Sequence, residues 1–261
     1  MFQTAILASG SKGNCTVVRT RDTKILVDAG LPGNRISAQL ASISLDESRI
    51  RALIISHEHS DHVAGAGIIA RKYNIPVYIS RLTYEAVKFR LGRLPKGNVF
   101  FQTGQDFRIG DIVVHAFSSS HDVVDGCNFI FQKEDEPLRK LALATDLGYA
   151  TQLLINRLRN ATTIILESNH DTGMLLEGPY PWHLKQRVHS RQGHLSNEQA
   201  VGVISQVIHP GLKNLILAHL SEQNNSPDLA YNIMKQYLQE IRFDLNLFIS
   251  LQNEPTPIFD I

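Results

Sequence analysis

The segment ISHEHSDHVAG, residues 55–65, constrains this chain more than any other, and its first two residues end the apolar run RALIIS. It contains three histidines and an aspartate within six positions. At the end of an extended run, His57 and His59 point the same way and can bind one metal ion. Asp61 and His62 lie where the next helix is expected to begin. Their side chains point in a different direction and can bind a second cation. Because imidazole nitrogens and carboxylates suit zinc, manganese and iron, the segment predicts a metal centre at a strand-to-helix junction.

Polar residues also end three other largely apolar strands. His121 follows IVVHAFSSS, Asp146 ends KLALATD and His219 ends NLILAHL. Asp favours turns, so Asp146 by itself would suit an ordinary turn. Since all three recur at strand ends, we expect them to complete the site at one edge of the fold. The predicted ligands are His57, His59 and His121 for one metal and Asp61, His62 and His219 for the other, with Asp146 bridging them around a shared water.

Strand and helix patterns alternate along the whole chain. Short β-rich runs cluster in two groups, each followed by helical spacing, with helices expected near 148–159, 197–208 and 226–243. This pattern predicts a mixed α/β chain with two packed sheets and helices outside them. The chain has 43% hydrophobic and 20% charged residues and no repeat or linker-like tract, so residues 1–261 are expected to form one domain.

Composition excludes several classes of protein. No stretch offers the roughly 18 uncharged apolar residues of a membrane span, and no basic region precedes the short apolar run at the N-terminus, so a cytoplasmic protein without a membrane partner is expected. Cys15 and Cys127 are too few for a disulfide framework and are expected to be reduced. A net charge of +1 excludes an overall basic surface, so any polyanion has to meet a local patch.

A candidate cationic patch lies between Gly178 and Asn197. It carries Lys185, Arg187 and Arg191 together with three histidines, and it contains no acidic residue. Such a segment suits the phosphates of a nucleic acid, although a solvated loop and helix face is the alternative interpretation.

Two motifs, one before this patch and one at its end, are expected at the same edge as the predicted metal ligands. ESNHD ends the strand TTIIL and brings Glu167, Asn169 and His170 to that edge. GHLSN opens a helix whose free backbone amides can receive an anion. The alternative for GHLSN is that Ser196 or Asn197 caps the helix.

The order HxHxDH, His, Asp and His, preceded by ILVDAG, resembles the signature of the metallo-β-lactamase fold. The resemblance implies a four-layer αββα sandwich with a two-metal hydrolytic site. It also implies that Asp28 orients the histidine loop, with Glu167 in a similar supporting role, while a plain strand-end turn is the alternative for Asp28. The di-iron flavoprotein branch of the fold has a glutamate where this chain has His59, which argues against redox chemistry. Two cations about 3.5 to 4 Å apart favour hydrolysis.

A wider set of segments narrows the resemblance. The chain looks like the bacterial YycJ/WalJ group in the segments ASGSKGNCT, DAGL, SHEHSDH, TDLGY, LESNHD, YPWHLKQRV, GHLSN and AHLSEQNN. This resemblance implies a DNA exonuclease or phosphodiesterase that acts 5′ to 3′ with two divalent metal ions. GHLSN is also similar to the GHxS-type motif of β-CASP nucleases, but the chain has no room for their inserted domain.

The expected reaction is in-line attack of a bridging hydroxide on a phosphodiester. Asp61 is expected to be essential to catalysis, and either His194 or His170 binds the phosphate or protonates the leaving oxygen. The loop ASGSKGN, residues 8–14, would approach the phosphate closely, although a flexible turn is the alternative. The predicted phosphate and substrate contacts are Ser9, Ser11, Lys12, Asn14, Asn169, Lys185, Arg187 and Ser196.

Two other kinds of function fit the same residues. One is a small-molecule hydrolase of the same fold that acts on a thioester, lactone or cyclic nucleotide, with an RNA nuclease as a close variant of the main hypothesis. The other is a non-catalytic regulatory partner in which the metal is structural. Seven candidate ligands around two cations argue against the second, because structural metal sites are closed and need fewer ligands.

Overall fold

Two seven-stranded β-sheets lie face to face in a computed structural model that describes residues 1–261. Helices cover the outer face of each sheet, so the chain forms four layers. This is the expected αββα sandwich, and it confirms the prediction of two packed sheets with helices outside them.

The first sheet and its helices come from the N-terminal half of the chain, together with one short strand near the C-terminus. The strands are β1 (Phe2–Ala8), β2 (Cys15–Thr20), β3 (Lys24–Val27), β4 (Ile50–Ile54), β5 (Val77–Ser80), β6 (Asn98–Phe101) and β14 (Phe259–Asp260). They follow the order β14-β1-β2-β3-β4-β5-β6, with β3 to β6 parallel. The helices of this half are α1 (Gly33–Ser42), α2 (Ser60–Val63), α3 (Ala66–Tyr73) and α4 (Arg81–Leu91), with a 3₁₀ turn at Glu47–Arg49.

The second sheet takes up the rest of the chain. Its strands are β7 (Asp106–Ile109), β8 (Ile112–Ser118), β9 (Cys127–Lys133), β10 (Glu136–Ala144), β11 (Thr163–Glu167), β12 (Asn214–Ala218) and β13 (Asn246–Ile249). They follow the order β13-β12-β11-β10-β9-β8-β7, and β10 to β13 are parallel. Its helices are α5 (Gln152–Leu158), α6 (Thr172–Glu177), α7 (Trp182–His189), α8 (Asn197–Val207) and α9 (Pro227–Glu240). The parallel strands bring their carboxyl ends to one edge of the sheet.

Three apolar clusters hold the four layers together. The central cluster lies between the sheets and joins Phe2 and Ile25 of the first sheet to Phe129 and Ile165 of the second. The two outer clusters pack the helices against each sheet. Burying each of these large side chains contributes roughly 1.5–3 kcal/mol, so the layers form a firm frame for the loops at the strand ends.

The helical spacing that follows the histidine cluster is divided between α2 and α3. Gly65 lies at the break, where a Cβ atom would stand 2.0 Å from the carbonyl oxygen of Leu31. The loops that contain Gly65 and Leu31 therefore approach each other closely, and α2 remains a separate short helix. It presents Asp61 and His62 at the edge of the first sheet. The helix expected near 148–159 is also shorter, because Thr151 caps α5 and the residues before it form a loop.

Two expectations from composition can be compared with the structure. Both cysteines are buried and neither is in a disulfide, which agrees with reduced structural thiols. None of the nine helices combines the length and the apolarity that crossing a bilayer requires.

Candidate metal centre

The predicted ligands meet at one edge of the sandwich, where strands of both sheets end. Each predicted ligand lies in a loop or short helix that begins where a strand ends. Such a loop is free of the strand geometry, so it can direct its side chains toward the centre. The predicted ligands lie at these ends: His57 and His59 after β4, Asp61 and His62 in α2, His121 after β8, Asp146 after β10 and His219 after β12. Residues as far apart as His57 and His219 are therefore brought together by the tertiary fold.

One group consists of His57, His59 and His121, whose available nitrogens lie within 4.8 Å of one another. The centroid of the His57 ring is 4.9 Å from that of His59 and 5.6 Å from that of His121. The centroids of the His59 and His121 rings are 5.0 Å apart. Three imidazoles in this arrangement match the ligand set predicted for one cation.

A second group consists of Asp61, His62 and His219, again with possible ligand atoms within 4.8 Å of one another. Asp61 Oδ2 is 3.4 Å from His62 Nε2 and 3.5 Å from His219 Nε2. This group corresponds to the ligand set predicted for the other cation.

Asp146 lies between the two groups. Its Oδ2 is 3.5 Å from His62 Nε2, and its Oδ1 is 3.6 Å from His219 Nε2 and 3.9 Å from His121 Nε2. It also belongs to a compact group with His57 and His62. The structure thus brings all seven predicted ligands together with Asp146 in the central position, and their role as metal ligands stays a prediction.

Three residues of the centre have a left-handed backbone conformation. The φ angles of Asp28, Asp146 and His219 are +61°, +58° and +56°, and each residue directly follows or lies just beyond a strand. Non-glycine residues seldom adopt positive φ, and such strain is typical of functional sites. The sharp change of chain direction at these positions turns the side chains toward the centre.

Asp28 supports the histidine loop, as the family resemblance implies. Its Oδ1 accepts a hydrogen bond from the Ser56 amide, and its Oδ2 accepts from Ser56 Oγ and His62 Nδ1, each over 2.8 Å. Since Ser56 donates its only hydroxyl proton to Asp28, it accepts the 2.9 Å hydrogen bond from His57 Nδ1. Both rings therefore carry a proton on Nδ1, which leaves Nε2 as the atom that can bind a cation; Nε2 of His62 also lies 3.1 Å from Asn14 Nδ2.

The other two rings are oriented through Nδ1 by different partners. His121 Nδ1 donates to the carbonyl oxygen of Gly193 over 2.9 Å, and His219 Nδ1 donates to Glu167 Oε1 over 3.1 Å. The buried atoms His57 Nε2, His219 Nε2 and Asp146 Oδ2 have no hydrogen-bond partner in the protein. Unpaired buried polar atoms are costly, so a cluster of them aimed at one another fits a site for divalent cations.

The charges of the carboxylates dominate the protonation of two rings. Burial opposes the charged form of His219, but Asp146, Asp61 and Glu167 outweigh it and raise the pKa of His219 to about 10. Burial likewise opposes the charge on His62, and the nearby carboxylates, Asp146 foremost, raise its pKa well above the usual value. A cation that binds these rings must therefore displace protons, which makes its affinity dependent on pH.

Glu167 is fully buried and accepts four hydrogen bonds. Its Oε1 accepts from His194 Nδ1 over 2.7 Å and from His219, while its Oε2 accepts from the amides of Leu147 and Leu195. Burial by itself would raise the pKa of Glu167, but His194 and these hydrogen bonds hold it at about 2. The carboxylate thus stays ionised and orients two imidazoles at once.

His194 flanks the centre and is partly exposed, with 18% of its side chain accessible. Its ring centroid lies 4.8 Å from that of His121 and 5.2 Å from that of His219. Because Glu167 takes Nδ1, Nε2 is left free for substrate. His170 differs, since it is 0% exposed and neither ring nitrogen has a partner. Burial lowers the pKa of His170 to about 4.

Three residues predicted to contact phosphate instead support the ligand residues. Ser9 Oγ accepts the His219 amide over 2.7 Å, and Asn169 Nδ2 donates to the His219 carbonyl oxygen over 2.8 Å. Asn14 Nδ2 donates to Asp61 Oδ2 over 3.1 Å. All three are buried, so these side chains fix the ligands from behind rather than facing solvent.

The remaining predicted phosphate contacts occupy the surface or a helix cap. Ser11 and Lys12 are exposed, and Lys12 pairs with Glu222. Lys185 donates to the carbonyl oxygen of Leu176. Ser196 caps α8 by accepting from the Gln199 amide, as the alternative for GHLSN proposed, and it also donates to Glu198.

Arg187 is linked to the centre through a residue that the sequence did not single out. Its Nε donates to Asp122 Oδ2 over 2.6 Å, while Asp122 Oδ1 is 3.4 Å from His121 Nε2. Arg187 therefore neutralises a carboxylate beside a predicted ligand. The position of Asp122 directly after His121 was the only signal in the sequence.

Ser56 is the most consequential residue that the sequence analysis missed. Ser56→Ala removes the partner of His57 Nδ1 and one of the donors to Asp28, so we expect the affinity for divalent cations to fall about 10- to 100-fold. Competition with a chelating dye measures this affinity. The matched control is Ser205→Ala on the exposed face of α8, which is expected to bind cations as the unmodified protein does. Equal affinities for both variants would exclude a supporting role for Ser56.

Comparison with known proteins adds to this geometry. Residues 8–125 match the family model of the metallo-beta-lactamase superfamily. The chain is 40% identical to the exodeoxyribonuclease YycJ of Bacillus anthracis, over 92% of this chain and 90% of that protein. It is 36% identical to the exodeoxyribonuclease WalJ of Streptococcus pneumoniae serotype 2, over 100% of this chain and 98% of that protein. Its fold is similar to that of the metallo-beta-lactamase fold protein YhfI from Bacillus subtilis, with a TM-score of 0.73 and 16% identity over 98% of this chain and 99% of that one.

Proposed function

Because the chain belongs to the metallo-β-lactamase superfamily, in the group of the YycJ and WalJ exodeoxyribonucleases, we propose that it degrades DNA from one end, in the 5′ to 3′ direction. Family membership makes the protein a metal-dependent hydrolase, so the non-catalytic alternative is set aside. The observation that carries the proposal is the pair of ligand groups with Asp146 between them and His194 beside them.

Two divalent cations, zinc, manganese or iron, fit the two groups of ligand atoms. His57, His59 and His121 would hold one, Asp61, His62 and His219 the other, and Asp146 would contact both. Bound cations would supply a water of lowered pKa and neutralise the charge that develops on a phosphate.

The chain's own residues complete the reaction around the scissile phosphodiester. Asp28 and Glu167 accept hydrogen bonds from Nδ1 of His62 and His219, so the Nε2 atoms of these rings stay directed at the centre. His194 Nε2 donates a proton to the oxygen that leaves phosphorus, while Glu167 holds the ring in place through Nδ1. His170 lacks this access because it is fully buried.

The surroundings favour an ionic substrate over an apolar small molecule. The cavity next to His121 has ten lining residues, of which two are hydrophobic. A thioester or lactone hydrolase would need a largely apolar pocket for the rest of its substrate. A phosphodiester chain suits polar walls better, which supports a nucleic acid as substrate and partner.

Hydrolysis of end-labelled nucleic acid tests the proposal. Metal-free protein is reloaded separately with manganese and zinc and is given single-stranded DNA, double-stranded DNA and matched RNA, with Asp61→Ala as the inactive control. Stepwise release of nucleotides from the 5′ end of DNA, absent from the control, is the expected result. Cleavage of RNA alone would change the substrate to RNA. Cleavage of a thioester or lactone, with no nucleic acid cut, would overturn the proposal.

His194→Gln is expected to lower kcat on DNA by about 10²- to 10⁴-fold, because glutamine cannot deliver a proton to the leaving oxygen. The loss is expected to be much smaller for a nitrophenyl phosphodiester, whose leaving group needs no proton. Steady-state kinetics on both substrates measure the difference, and metal analysis checks that the variant still binds its cations.

His170→Gln is the matched comparison for this prediction. Its buried ring does not reach substrate, so the variant is expected to retain kcat within a few-fold of the unmodified protein. If His170→Gln lost activity on DNA and His194→Gln did not, the proton donor would be His170.

A further inference from the structure

A cleft of about 610 Å³ opens beside His121 at the rim of the centre. Three segments form its walls: residues 118–121 at the end of β8 and beyond it, residues 149–153 before and at the start of α5, and residues 190–192 after α7. His121 is the one predicted ligand that lines the cleft, so the cleft lies directly next to the first ligand group.

Backbone contacts hold the three segments together. The Gly148 amide donates to the Ser120 carbonyl oxygen over 2.7 Å, and the Asp122 amide donates to the Gln192 carbonyl oxygen over 3.1 Å. Gly148 packs so closely that a Cβ atom would lie 2.2 Å from the Arg191 carbonyl oxygen. The walls are therefore joined to one another and form a defined shape.

Arg191 is the cation of the 178–197 segment that has no partner of its own. Arg187 is paired with Asp122, and Lys185 donates to a backbone carbonyl. The Arg191 side chain makes no ion pair or hydrogen bond within the protein, and its guanidinium lies 4.2 Å from the centroid of the Tyr149 ring. Contact with an aromatic face restrains the guanidinium while its N–H groups stay available.

The lining of the cleft suits an anion joined to a polar chain. No Asp or Glu lines it, and hydroxyl groups come from Ser118, Ser119, Thr151 and other residues of the three segments. An arginine without a carboxylate partner in such a cleft attracts a phosphate, with which it can form two parallel hydrogen bonds.

We propose that this cleft holds the part of the DNA strand next to the scissile phosphodiester, with Arg191 bound to its neighbouring phosphate and Tyr149 positioning the guanidinium. The inference rests on the proposed function for the identity of the strand. Arg191 is thus a substrate-binding residue and Tyr149 a positioning residue. The cleft therefore provides binding contacts to a DNA strand that a single small phosphodiester is too short to make.

Binding of a fluorescently end-labelled oligothymidylate, followed by anisotropy in the presence of a chelator, tests the inference without turnover. Arg191→Ala is expected to weaken binding about tenfold. The slope of the logarithm of the binding constant against that of salt concentration should fall by about 0.7, as for one lost phosphate contact on a single strand. Tyr149→Leu is expected to weaken binding about threefold, and Tyr149→Phe, which keeps the ring, to restore it.

The matched control is another exposed cation over a tyrosine ring. Lys235 on α9 lies 5.3 Å from the centroid of Tyr231, on the helical outer layer. Lys235→Ala removes the same charge and the same type of contact, and it is expected to leave binding and its salt dependence unchanged.

Kinetics separate this inference from the proposed function. With manganese bound, the ratio of kcat/KM on the oligonucleotide to that on a nitrophenyl phosphodiester is expected to fall about tenfold in Arg191→Ala. If Arg191→Ala bound the oligonucleotide normally and kept the ratio unchanged while the protein cut DNA, the proposal for the cleft would be overturned and the proposed exonuclease activity would stand. Loss of binding in Arg191→Ala, in protein that cuts no DNA with any metal, would support the cleft and overturn the exonuclease. If the unmodified protein bound no oligonucleotide, the cleft would be overturned.

Discussion

Asp146→Asn is expected to reduce the rate of DNA hydrolysis by about a thousandfold or more. The Asp146 carboxylate lies 3.5–3.9 Å from ring nitrogens of His62, His219 and His121, so its charge is close to both ligand groups. Asparagine keeps the shape but removes the charge that would hold both cations. Losing several kcal/mol of charge stabilisation corresponds to this loss of rate, at about 1.4 kcal/mol for each tenfold change.

The measurement is kcat/KM on end-labelled DNA with manganese present, together with the metal content of the purified variant. We expect the variant to hold less than the full complement of cations. Asp244→Asn, an exposed aspartate between α9 and β13, is the matched control and should keep both activity and metal. A fully active Asp146→Asn protein would remove Asp146 from the metal centre.

Removal of bound cations is expected to lower the thermal midpoint of unfolding by roughly 8–16 °C. A cation present at about 1,000 times its dissociation constant stabilises the folded state by about 4 kcal/mol. For a chain of this size, each kcal/mol corresponds to roughly 2–4 °C. The physical source is the set of buried atoms without partners, among them His57 Nε2 and Asp146 Oδ2, which a cation satisfies.

Thermal unfolding with and without a chelator measures this effect. Part of the loss is offset in the metal-free protein, because the raised pKa values of His62 and His219 let these rings pair with carboxylates as cations. The Asp146→Asn protein should show a smaller shift on chelation than Asp244→Asn. Equal midpoints with and without chelator in the unmodified protein would contradict a stabilising metal centre.

The convergence of the seven predicted ligands at one edge could be anticipated because their signals are local. His57 and His59 are two apart at a strand end, and strand geometry alone turns both side chains the same way. His121, Asp146 and His219 each lie beyond the end of an apolar strand, and the parallel arrangement of β10 and β12 brings such ends to one edge. The fold class followed similarly from two groups of strands separated by helical spacing.

The roles of the small polar residues could not be predicted in the same way. Ser9, Asn14 and Asn169 are compatible with phosphate contacts as long as the two loops that carry them face the substrate. In the structure these side chains are directed at His219 and Asp61. A glycine-rich loop has the same sequence whether it faces the ligand site or supports it from behind.

The sequence alone determined which atoms are available to bind cations and on which strand ends they lie, because these properties depend on neighbouring residues. Only the tertiary structure decided the partners across long separations. Ser56 joins His57 to Asp28, the Gly193 carbonyl orients His121, and Asp122 occupies Arg187 but leaves Arg191 free. The physical reason is that hydrogen bonds and ion pairs act over a few ångströms, so the packing of distant loops selects them.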